Sequence, residues 1–331
     1  MASKDVLVTA RFFDDDAKQL LRDHGLRVVT ADVPYDGVDS VISPAMHVAL
    51  ESAVAWVIGI APVTRELLDR YPRMVALARR GVGYDTIDVD AVRSARRLLT
   101  NTPGGNEPSV ADHAIGLMLG VAKRLVESHE RARAGNWTVL VGTELYGKTV
   151  GLVGLGRIAR QIVKRLKGFD VRVLAFDVTR DGAYAAEAGV EYVTLEELLT
   201  RSDIVSLHAP LTAQTRHLLD EPAITRMKRG AIVINTARGE LIDDAALLSA
   251  LQSGQLGGAG LDVVGSERDP ALLPITEKLL SLPNVLCTPH AAGSSREGLA
   301  RSNLLAAQCV IAAIEGRAVP AQCIVADGRS H

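Results

Sequence analysis

Short apolar runs alternate with longer amphipathic stretches from one end of the chain to the other. The runs predict β-strands over residues 5–9, 26–31, 55–60, 74–79, 97–100, 149–153, 171–176, 204–207, 231–235, 260–263 and 285–287. Between them, apolar residues at helical spacing predict helices over residues 15–24, 65–71, 157–166, 195–200 and 243–253. This alternation is typical of α/β proteins, in which helices cover both faces of a parallel sheet.

Two predicted helices, over residues 109–134 and 295–315, are longer than the others. Each follows a segment that contains glycine and proline, at residues 101–106 and 288–293. Such helices suit a chain that leaves one domain and later returns to it. We therefore predict a domain of residues 104–293 inserted into a discontinuous domain of residues 1–103 and 294–331. The alternative is two long surface helices within one domain, and composition alone does not decide between them.

Composition excludes several classes of function. The 331 residues suffice for two domains of about 150 residues each. The formal net charge is −2 and aromatic residues make up 4% of the chain. A nucleic-acid-binding protein normally has a basic excess, and stacking on bases needs aromatic side chains. We therefore expect no nucleic-acid partner.

The spacing of the cysteines and histidines and the character of the N-terminus indicate which metal sites, disulfides and cell compartment to expect. Cys287, Cys309 and Cys323 are far apart and predict neither disulfides nor a zinc cluster. No two histidines have metal-ligand spacing, so we predict no metal site. The N-terminus does not resemble a signal peptide, and no run of about 18 apolar residues is present. We expect a cytoplasmic protein with no membrane partner.

The strongest local motif is Gly154-Leu-Gly156-Arg-Ile-Ala159, between a predicted strand and a predicted helix. Gly154 permits a tight turn, Gly156 lets a pyrophosphate approach the backbone, and Ala159 lets the helix pack closely. The free N–H groups at the helix start favour a phosphate. Asp177 ends the next strand 21 residues after Gly156, near the spacing of about 20 expected for a ribose-binding carboxylate. The pattern favours dinucleotide binding over a purely structural turn.

Asp177 also distinguishes between the two nicotinamide dinucleotides. A carboxylate accepts hydrogen bonds from the ribose 2′-hydroxyl and repels a 2′-phosphate, which favours NAD over NADP. Arg180 lies three residues later and would be able to reach a phosphate. We interpret it as a solvated loop cation.

Three further polar clusters follow strand-like runs. They contain Arg238, the pair Asp262 and Glu267, and His290. Open parallel sheets bind ligands at the carboxyl ends of their strands. Taken one at a time, each has another explanation. Arg238 suits a surface ion pair, Glu267 suits an exposed charged stretch, and His290 suits a surface or packed histidine. Their occurrence together with the glycine turn favours a catalytic site.

These segments resemble the D-isomer-specific 2-hydroxyacid dehydrogenase family over nearly the whole chain. The segment Gly142-Thr-Glu-Leu-Tyr-Gly-Lys-Thr149 is most similar to the 3-phosphoglycerate dehydrogenase branch. The other matching segments are Arg80-Gly-Val-Gly-Tyr-Asp85, Asn101-Thr-Pro-Gly-Gly-Asn106, Ser109-Val-Ala-Asp-His113, Gly154-Leu-Gly-Arg-Ile158, His208-Ala-Pro-Leu211, Asn235-Thr-Ala-Arg-Gly239, Gly260-Leu-Asp-Val263 and Thr288-Pro-His290.

The resemblance implies a fold and an assembly. The fold is two Rossmann-like, doubly wound parallel-sheet domains. The NAD-binding domain is inserted into a discontinuous, flavodoxin-like substrate domain. The expected assembly is a homodimer held mainly through the NAD-binding domain.

The resemblance also implies a role for each matching residue. Arg238 would bind the carboxylate and carbonyl of a small 2-oxo acid, and His290, paired with Glu267, would be the acid and base. Asp262 would hold the nicotinamide carboxamide. The expected substrate-binding residues are Arg80, Val82, Gly83, Asn106 and Arg238. For Asn106, the alternative is a turn residue at the start of a helix. The expected NAD-binding residues are Gly154, Gly156, Arg157, Ile158, Asp177, His208, Pro210, Thr215, Thr236, Ala237, Asp262 and Gly293.

Elementary chemistry supports the catalytic assignments. Reduction of a 2-oxo acid places negative charge on the C2 oxygen, which a guanidinium such as that of Arg238 stabilises. An imidazole donates the proton and removes it in the reverse direction. We expect Glu267 to raise the pKa of His290 and to fix its tautomer. For His113, inside a predicted helix, we expect packing or polar support.

The chain departs from the 3-phosphoglycerate dehydrogenase branch in two places. It ends about 40 residues after His290, so we expect no C-terminal regulatory domain. The segment Trp137-Thr-Val-Leu-Val-Gly142 lacks the basic residues that are usual there. Arg79 and Arg80 precede the carboxylate-binding loop and are candidates for binding a second anionic group. The alternative is that one of these arginines faces solvent.

Two other functions remain in competition with an oxidoreductase that acts on 2-oxo and D-2-hydroxy acids. An NAD(H)-sensing corepressor keeps this fold and the Arg/Glu/His set, but usually adds a long disordered tail. An alanine dehydrogenase relative does not explain Arg238, Glu267 and His290 in this order. Formate dehydrogenase, a member of the family, usually has glutamine in place of Glu267. We therefore favour an NAD-dependent reductase for hydroxypyruvate, phosphohydroxypyruvate or phosphonopyruvate-type acids.

Overall fold

The chain divides into two compact units. The computed structural model describes residues 4–31 and 39–329. The outer unit consists of Met1–Asn106 and Gly293–His331, and the inserted unit consists of Glu107–Ala292. The predicted α/β class, with two parallel sheets, is confirmed.

The described residues contain thirteen strands and thirteen α-helices. The strands are β1 Asp5–Val8, β2 Arg27–Thr30, β3 Ala53–Ile58, β4 Ala76–Arg79, β5 Leu98–Thr100, β6 Thr149–Val153, β7 Arg172–Phe176, β8 Val190–Tyr192, β9 Ile204–Leu207, β10 Ala231–Asn235, β11 Leu256–Leu261, β12 Val285–Cys287 and β13 Ile324–Asp327. The helices are α1 Asp15–Asp23, α2 Pro44–Ser52, α3 Arg65–Arg70, α4 Val89–Ser94, α5 Glu107–Ala122, α6 Leu125–Arg133, α7 Arg157–Leu166, α8 Gly182–Ala188, α9 Leu195–Arg201, α10 Glu221–Arg226, α11 Asp244–Gln252, α12 Leu273–Leu280 and α13 Arg296–Ile314.

The outer unit has a six-stranded sheet in the order β13-β5-β4-β3-β1-β2. All neighbours are parallel except β13, which pairs antiparallel with β5. Alternate strand residues face opposite sides. Val6 and Val8 therefore pack with α1 and α13, whereas Leu7 packs with α2 and α3.

The inserted unit has a seven-stranded sheet in the order β12-β11-β10-β9-β6-β7-β8. All of its strand pairs are parallel. The strand order reverses between β6 and β9, and ligands of open parallel sheets bind at such a reversal. Helices α5 and α7 pack on one face, and α9 to α12 pack on the other.

The prediction of one long helix over residues 109–134 is wrong. The helix breaks after α5, at Arg124, whose φ is +52°. The buried face of α5 ends with Ala122, whereas α6 has no buried residue. Once the apolar face ends, packing no longer keeps the chain in one straight helix.

Three strands differ from the prediction. The short strands β8 and β13 were not predicted, and β11 starts at Leu256 rather than at residue 260. Glycine disfavours strands, which hid the start of β11 in the sequence. A Cβ at Gly258 would lie 2.5 Å from Cγ1 of Val121, and one at Gly260 would lie 2.9 Å from Cβ of Leu117. These glycines let the helical segment that contains Leu117 and Val121 pack against β11.

Candidate active site

The glycine turn lies at the carboxyl end of β6, where the strand order reverses. Gly154 has a φ of +91°, and a Cβ there would lie 3.0 Å from backbone atoms of His208 and Ala209. Both observations require glycine. Gly156 precedes α7, a Cβ on it would meet nothing within 4 Å, and no side chain caps this helix start. The helix N-terminus is therefore open to an anion.

Asp177 follows β7, beside the glycine turn. Its Oδ2 accepts a hydrogen bond from Leu155 N at 2.7 Å, and its Oδ1 accepts one from Thr179 N at 2.8 Å. These bonds fix the carboxylate next to the turn and leave acceptor capacity on both oxygens. The guanidinium of Arg180 lies 5.6 Å from the centroid of the Tyr192 ring.

The remaining residues predicted to bind NAD within the inserted unit lie at strand ends, in the loop after β9 and, for Arg157 and Ile158, in the first turn of α7. The Pro210 carbonyl accepts a bond from Thr215 Oγ1 at 2.6 Å, which closes that loop. Ile158 packs against the core, and Arg157 is exposed. Thr236 Oγ1 is buried and has no hydrogen-bond partner in the part of the chain that the structure describes. A buried orphan hydroxyl after β10, at the same carboxyl-terminal edge of the parallel sheet as the glycine turn and the Asp177 carboxylate, fits a dinucleotide such as NAD.

His208 also follows β9, and its side chain bonds within its own strand end. Its Nε2 lies 2.8 Å from Ser206 Oγ. Burial lowers the pKa of His208 to about 3. The imidazole is therefore neutral at physiological pH.

Arg238 follows β10 on a loop that the side chain of Asn235 holds. Asn235 Nδ2 donates to the Arg238 carbonyl at 2.8 Å, and Asn235 Oδ1 accepts from Ala237 N at 3.0 Å. Burial lowers the pKa of the Arg238 guanidinium, and the nearby charges of Glu267 and Glu240 oppose this shift. Sequence reasoning missed Asn235 and Glu240; the position of Asn235 at the end of β10 was the available signal.

His290 and Glu267 form a direct pair. His290 Nδ1 lies 2.7 Å from Glu267 Oε2, and Glu267 Oε1 accepts a bond from Val264 N at 2.9 Å. The side chains are 49% and 34% exposed, respectively. Because Nδ1 faces the carboxylate, the other ring nitrogen, Nε2, is directed away from Glu267. His290 has a φ of +51°, a conformation that costs a non-glycine residue about 1–3 kcal/mol.

Asp262 lies beneath the segment that carries His290. Its side chain is 1% exposed. Oδ1 accepts bonds from Thr288 Oγ1 at 2.6 Å and from Ala291 N at 2.8 Å, and Oδ2 accepts one from Ala292 N at 2.9 Å. The carboxylate is thus already bonded to the chain on both sides of His290. Sequence reasoning assigned Asp262 to the nicotinamide and missed these bonds.

The residues predicted to bind the substrate carboxylate lie on a loop of the outer unit. Thr102 Oγ1 accepts a bond from Gly81 N at 2.8 Å, and Asn101 Nδ2 donates to the Val82 carbonyl at 2.9 Å. In residues 4–31 and 39–329, neither Val82 N nor Gly83 N donates a hydrogen bond. Two adjacent free N–H groups are suited to an anion.

Arg80 and Asn106 also lie in the outer unit. Arg80 Nη2 donates to the Arg11 carbonyl at 2.6 Å, and burial lowers the pKa of the Arg80 guanidinium. Asn106 directly precedes α5, and a Cβ at Gly293 would lie 2.8 Å from its Nδ2. Gly293, predicted to bind NAD, belongs to the outer unit.

The structure brings Glu267 and His290 together and places Arg238 in the same inserted unit. Arg80, Val82, Gly83 and Asn106 all lie in the outer unit. Among the described residues, no group of three or more His, Cys, Asp or Glu side chains is arranged to hold a metal ion. No helix in that part of the chain is long and apolar enough to cross a bilayer.

The chain is similar to a family model, to individual protein sequences and to solved structures. Residues 115–292 match the family model described as D-isomer specific 2-hydroxyacid dehydrogenase, NAD binding domain. The glyoxylate reductase of Korarchaeum cryptofilum is 42% identical over 265 residues, covering 78% of this chain and 79% of that protein. The D-3-phosphoglycerate dehydrogenase of Mycobacterium leprae is 39% identical over 261 residues, covering 78% of this chain and 48% of that protein.

A solved structure extends the similarity to the fold. The D-lactate dehydrogenase of Aquifex aeolicus, complexed with NAD and lactic acid, has a TM-score of 0.81 and 31% sequence identity. The match covers 94% of this chain and 96% of that chain.

Proposed function

The chain belongs to the D-isomer-specific 2-hydroxyacid dehydrogenase family, and on that premise we propose that it interconverts a small 2-oxo acid and its D-2-hydroxy acid, with His290 as the acid and base. The family assignment makes the chain an NAD(H)-dependent oxidoreductase that acts on CH–OH groups, as predicted from the sequence. The observation that carries the proposed mechanism is the 2.7 Å contact between His290 and Glu267 in the NAD-binding unit.

The proposed roles follow from charge and geometry. NADH, when bound, supplies the hydride that reaches C2 of the oxo acid. Negative charge then develops on the C2 oxygen, and the Arg238 guanidinium stabilises it. His290 donates its proton to that oxygen from Nε2, because Nδ1 faces Glu267. In the oxidation direction, the same nitrogen removes the hydroxyl proton, and Glu267 stabilises the imidazolium that forms.

We propose that NAD is preferred over NADP. The Asp177 carboxylate is fixed beside the glycine turn, where it would accept bonds from a ribose diol and repel a 2′-phosphate. Arg180 stacks over the Tyr192 ring, which supports its interpretation as a loop cation. Gly154, Gly156 and Arg157 would hold the pyrophosphate, and Thr236 would supply a buried hydroxyl.

For the substrate, we propose that the N–H groups of Val82 and Gly83 bind the carboxylate, with Arg80 next to that loop in sequence and Asn106 in the same outer unit. Arg79 and Arg80 add two cations at the carboxyl end of β4. They support a second anionic group, as in phosphohydroxypyruvate or phosphonopyruvate, with hydroxypyruvate as the singly charged reference.

NADH oxidation with a panel of 2-oxo acids tests both the reaction and the second anion. We expect turnover on at least one acid, and a preference for phosphohydroxypyruvate over hydroxypyruvate that falls in Arg79→Ala or Arg80→Ala. Each charge-assisted bond lost should cost roughly tenfold in kcat/KM or more. If neither substitution changes the preference, the second-anion proposal is wrong. NADH binding without turnover on any acid would instead favour an NAD(H)-sensing protein of corepressor type.

We further propose a homodimer held through the NAD-binding unit. Trp137, Val139 and Val141 are 83%, 85% and 85% exposed, respectively, on one uncharged segment of that unit. Exposed apolar segments of this kind are typical of protein–protein contacts. Sedimentation equilibrium at micromolar protein would show a monomer if this proposal is wrong. Cys287, Cys309 and Cys323 carry thiols and form no disulfide among the described residues, which supports the proposed cytoplasmic setting.

A further inference from the structure

His113 lies on α5, outside the set of residues to which we have given a chemical role. Its Nε2 is 2.8 Å from Thr288 Oγ1 and 3.4 Å from Asp262 Oδ1. Its side chain is 25% exposed. Thr288 and Asp262 are the two residues whose polar atoms organise the segment that carries His290. His113 therefore connects a core helix to that segment.

The hydrogen bonds in this cluster have one consistent direction. Asp262 is acceptor-only when ionised, so Thr288 Oγ1 donates its proton to Oδ1 at 2.6 Å. The Thr288 hydroxyl then has only acceptor capacity left for His113, which must donate from Nε2. Ala291 N and Ala292 N complete the set of donors around the carboxylate. Each hydrogen bond in this series orients the next group.

We propose that His113 is a positioning residue for His290, acting through Thr288 and Asp262. His113 holds the Thr288 hydroxyl, which holds Asp262 Oδ1, and this carboxylate holds the N–H groups of Ala291 and Ala292. His290 N donates to the Asp262 carbonyl at 2.9 Å, so the same residue fixes the backbone of His290 as well. The network thereby maintains the left-handed conformation of His290, with φ +51°.

The consequence for catalysis is geometric. General acid–base transfer requires the imidazole within hydrogen-bond reach of the reacting oxygen. A displacement of about 1 Å at such a group can cost 10²-fold in rate. Loss of the His113 bond leaves the other donors to Asp262 in place, so we expect a partial loss of turnover. This inference rests on the proposed role of His290 as acid and base.

The test compares His113→Leu, which removes the donor, with His113→Gln, whose amide nitrogen restores one. In His113→Leu we expect kcat to fall roughly tenfold on the best substrate of the panel, with KM and the Kd for NADH unchanged. We expect the side-chain NMR signal of His290, assigned by its loss in His290→Ala, to shift in the protein without substrate. His113→Gln should recover both kcat and the signal position.

Asp112→Asn provides the matched control on the same helix. Asp112 is the neighbouring residue, 69% exposed and paired with Arg165, and its substitution should change neither readout. Should His113→Leu not fold, Thr288→Val removes the same hydroxyl link and should give the same two effects.

The two proposals fail in different ways. An unmoved His290 signal in His113→Leu and Thr288→Val overturns the positioning role, whatever the activity. A shifted signal that His113→Gln restores supports the positioning network. If the wild-type protein at the same time turns over no 2-oxo acid, the reaction proposed for the chain is what fails.

Discussion

Two histidine–carboxylate pairs in the inserted unit have similar chemistry and different surroundings. His290 and Glu267 are 49% and 34% exposed, whereas His113 and Asp262 are 25% and 1% exposed. The first pair is in direct contact at 2.7 Å, and the second is bridged by the Thr288 hydroxyl. The exposed pair is open to a ligand and to proton exchange. The buried pair is surrounded by its own chain.

The difference in burial indicates different roles: the exposed pair is available for the reaction, and the buried carboxylate stabilises the surrounding backbone. An exposed ion pair contributes about 0–1 kcal/mol to stability, so its geometry can serve the reaction with little effect on the fold. A buried carboxylate is tolerated only when hydrogen bonds compensate for its desolvation. Asp262 obtains those bonds from Thr288, Ala291 and Ala292. The same bonds give the reactive histidine a fixed backbone.

Removing the imidazole of the exposed pair should have the largest effect on the reaction. We expect His290→Ala to lose at least about 10²-fold in kcat, because acid–base catalysis typically contributes 10²–10⁴-fold. The NADH affinity should persist, since the His290 side chain is not among the groups predicted to bind NAD. Steady-state kinetics and a fluorescence titration with NADH measure the two quantities. Unchanged turnover would remove His290 from the mechanism.

Replacing the carboxylate of each pair by an amide, one at a time, shows how much each pair contributes to the free energy of unfolding. We expect Asp262→Asn to lower the free energy of unfolding by about 1.5–3 kcal/mol, because an amide nitrogen would face backbone N–H donors in a buried site. Glu267→Gln should change it by no more than about 0.5 kcal/mol. Urea denaturation of the two variants measures this difference. Equal losses would contradict the division into a supporting pair and a reactive pair.

His208 is half-buried and its imidazole contacts the Ser206 hydroxyl rather than a carboxylate, so it offers a third histidine environment that pH can test. Its pKa of about 3 lies below the ordinary value of 6.5, so the unfolded chain binds the extra proton more readily. Stability from this group is fully present above about pH 6.5 and is lost as pH falls towards 3. We expect His208→Gln to lose less stability than the wild type between pH 7 and pH 5.

The control for this smallest effect is His24→Gln. His24 lies on the surface, 2.7 Å from Glu315, and its substitution should not reduce the acid sensitivity. Thermal denaturation at the two pH values gives the comparison. Parallel pH curves for the wild type and His208→Gln would rule out burial of His208 as a source of acid sensitivity.

Much of the fold was predictable because strand–helix alternation is a local signal. Apolar runs identified most strands, and the position of Asp177 after β7 followed from the glycine motif. The break at Arg124 was not predictable, since it depends on where the sheet stops burying α5. The glycines of β11 have weak strand propensity, and only the close approach of Leu117 and Val121 explains them. Tertiary packing overrode local preference in both cases.

The candidate site was predictable in its residue types and less so in its connections. The sequence indicated His290 and Glu267, and the structure places them in contact. It gave no signal that Asp262 would bond to Ala291 and Ala292, since backbone donors leave no residue-type pattern. It also gave no reason to connect His113 with Thr288, which is 175 positions away. Contacts at such separation follow from the fold and not from any local pattern.

The split of the chain at Asn106 and Gly293 has a genetic consequence. Arg238, Glu267, His290 and the glycine turn all lie within one uninterrupted stretch, Glu107–Ala292, whereas the outer unit is encoded in two pieces. Two crossovers, one at each boundary, are thus able to transfer the proposed catalytic residues and the glycine turn between genes together, as one segment. If the loop with Val82 and Gly83 selects the substrate, a lineage can diversify its substrates by point mutation there while inheriting the segment intact.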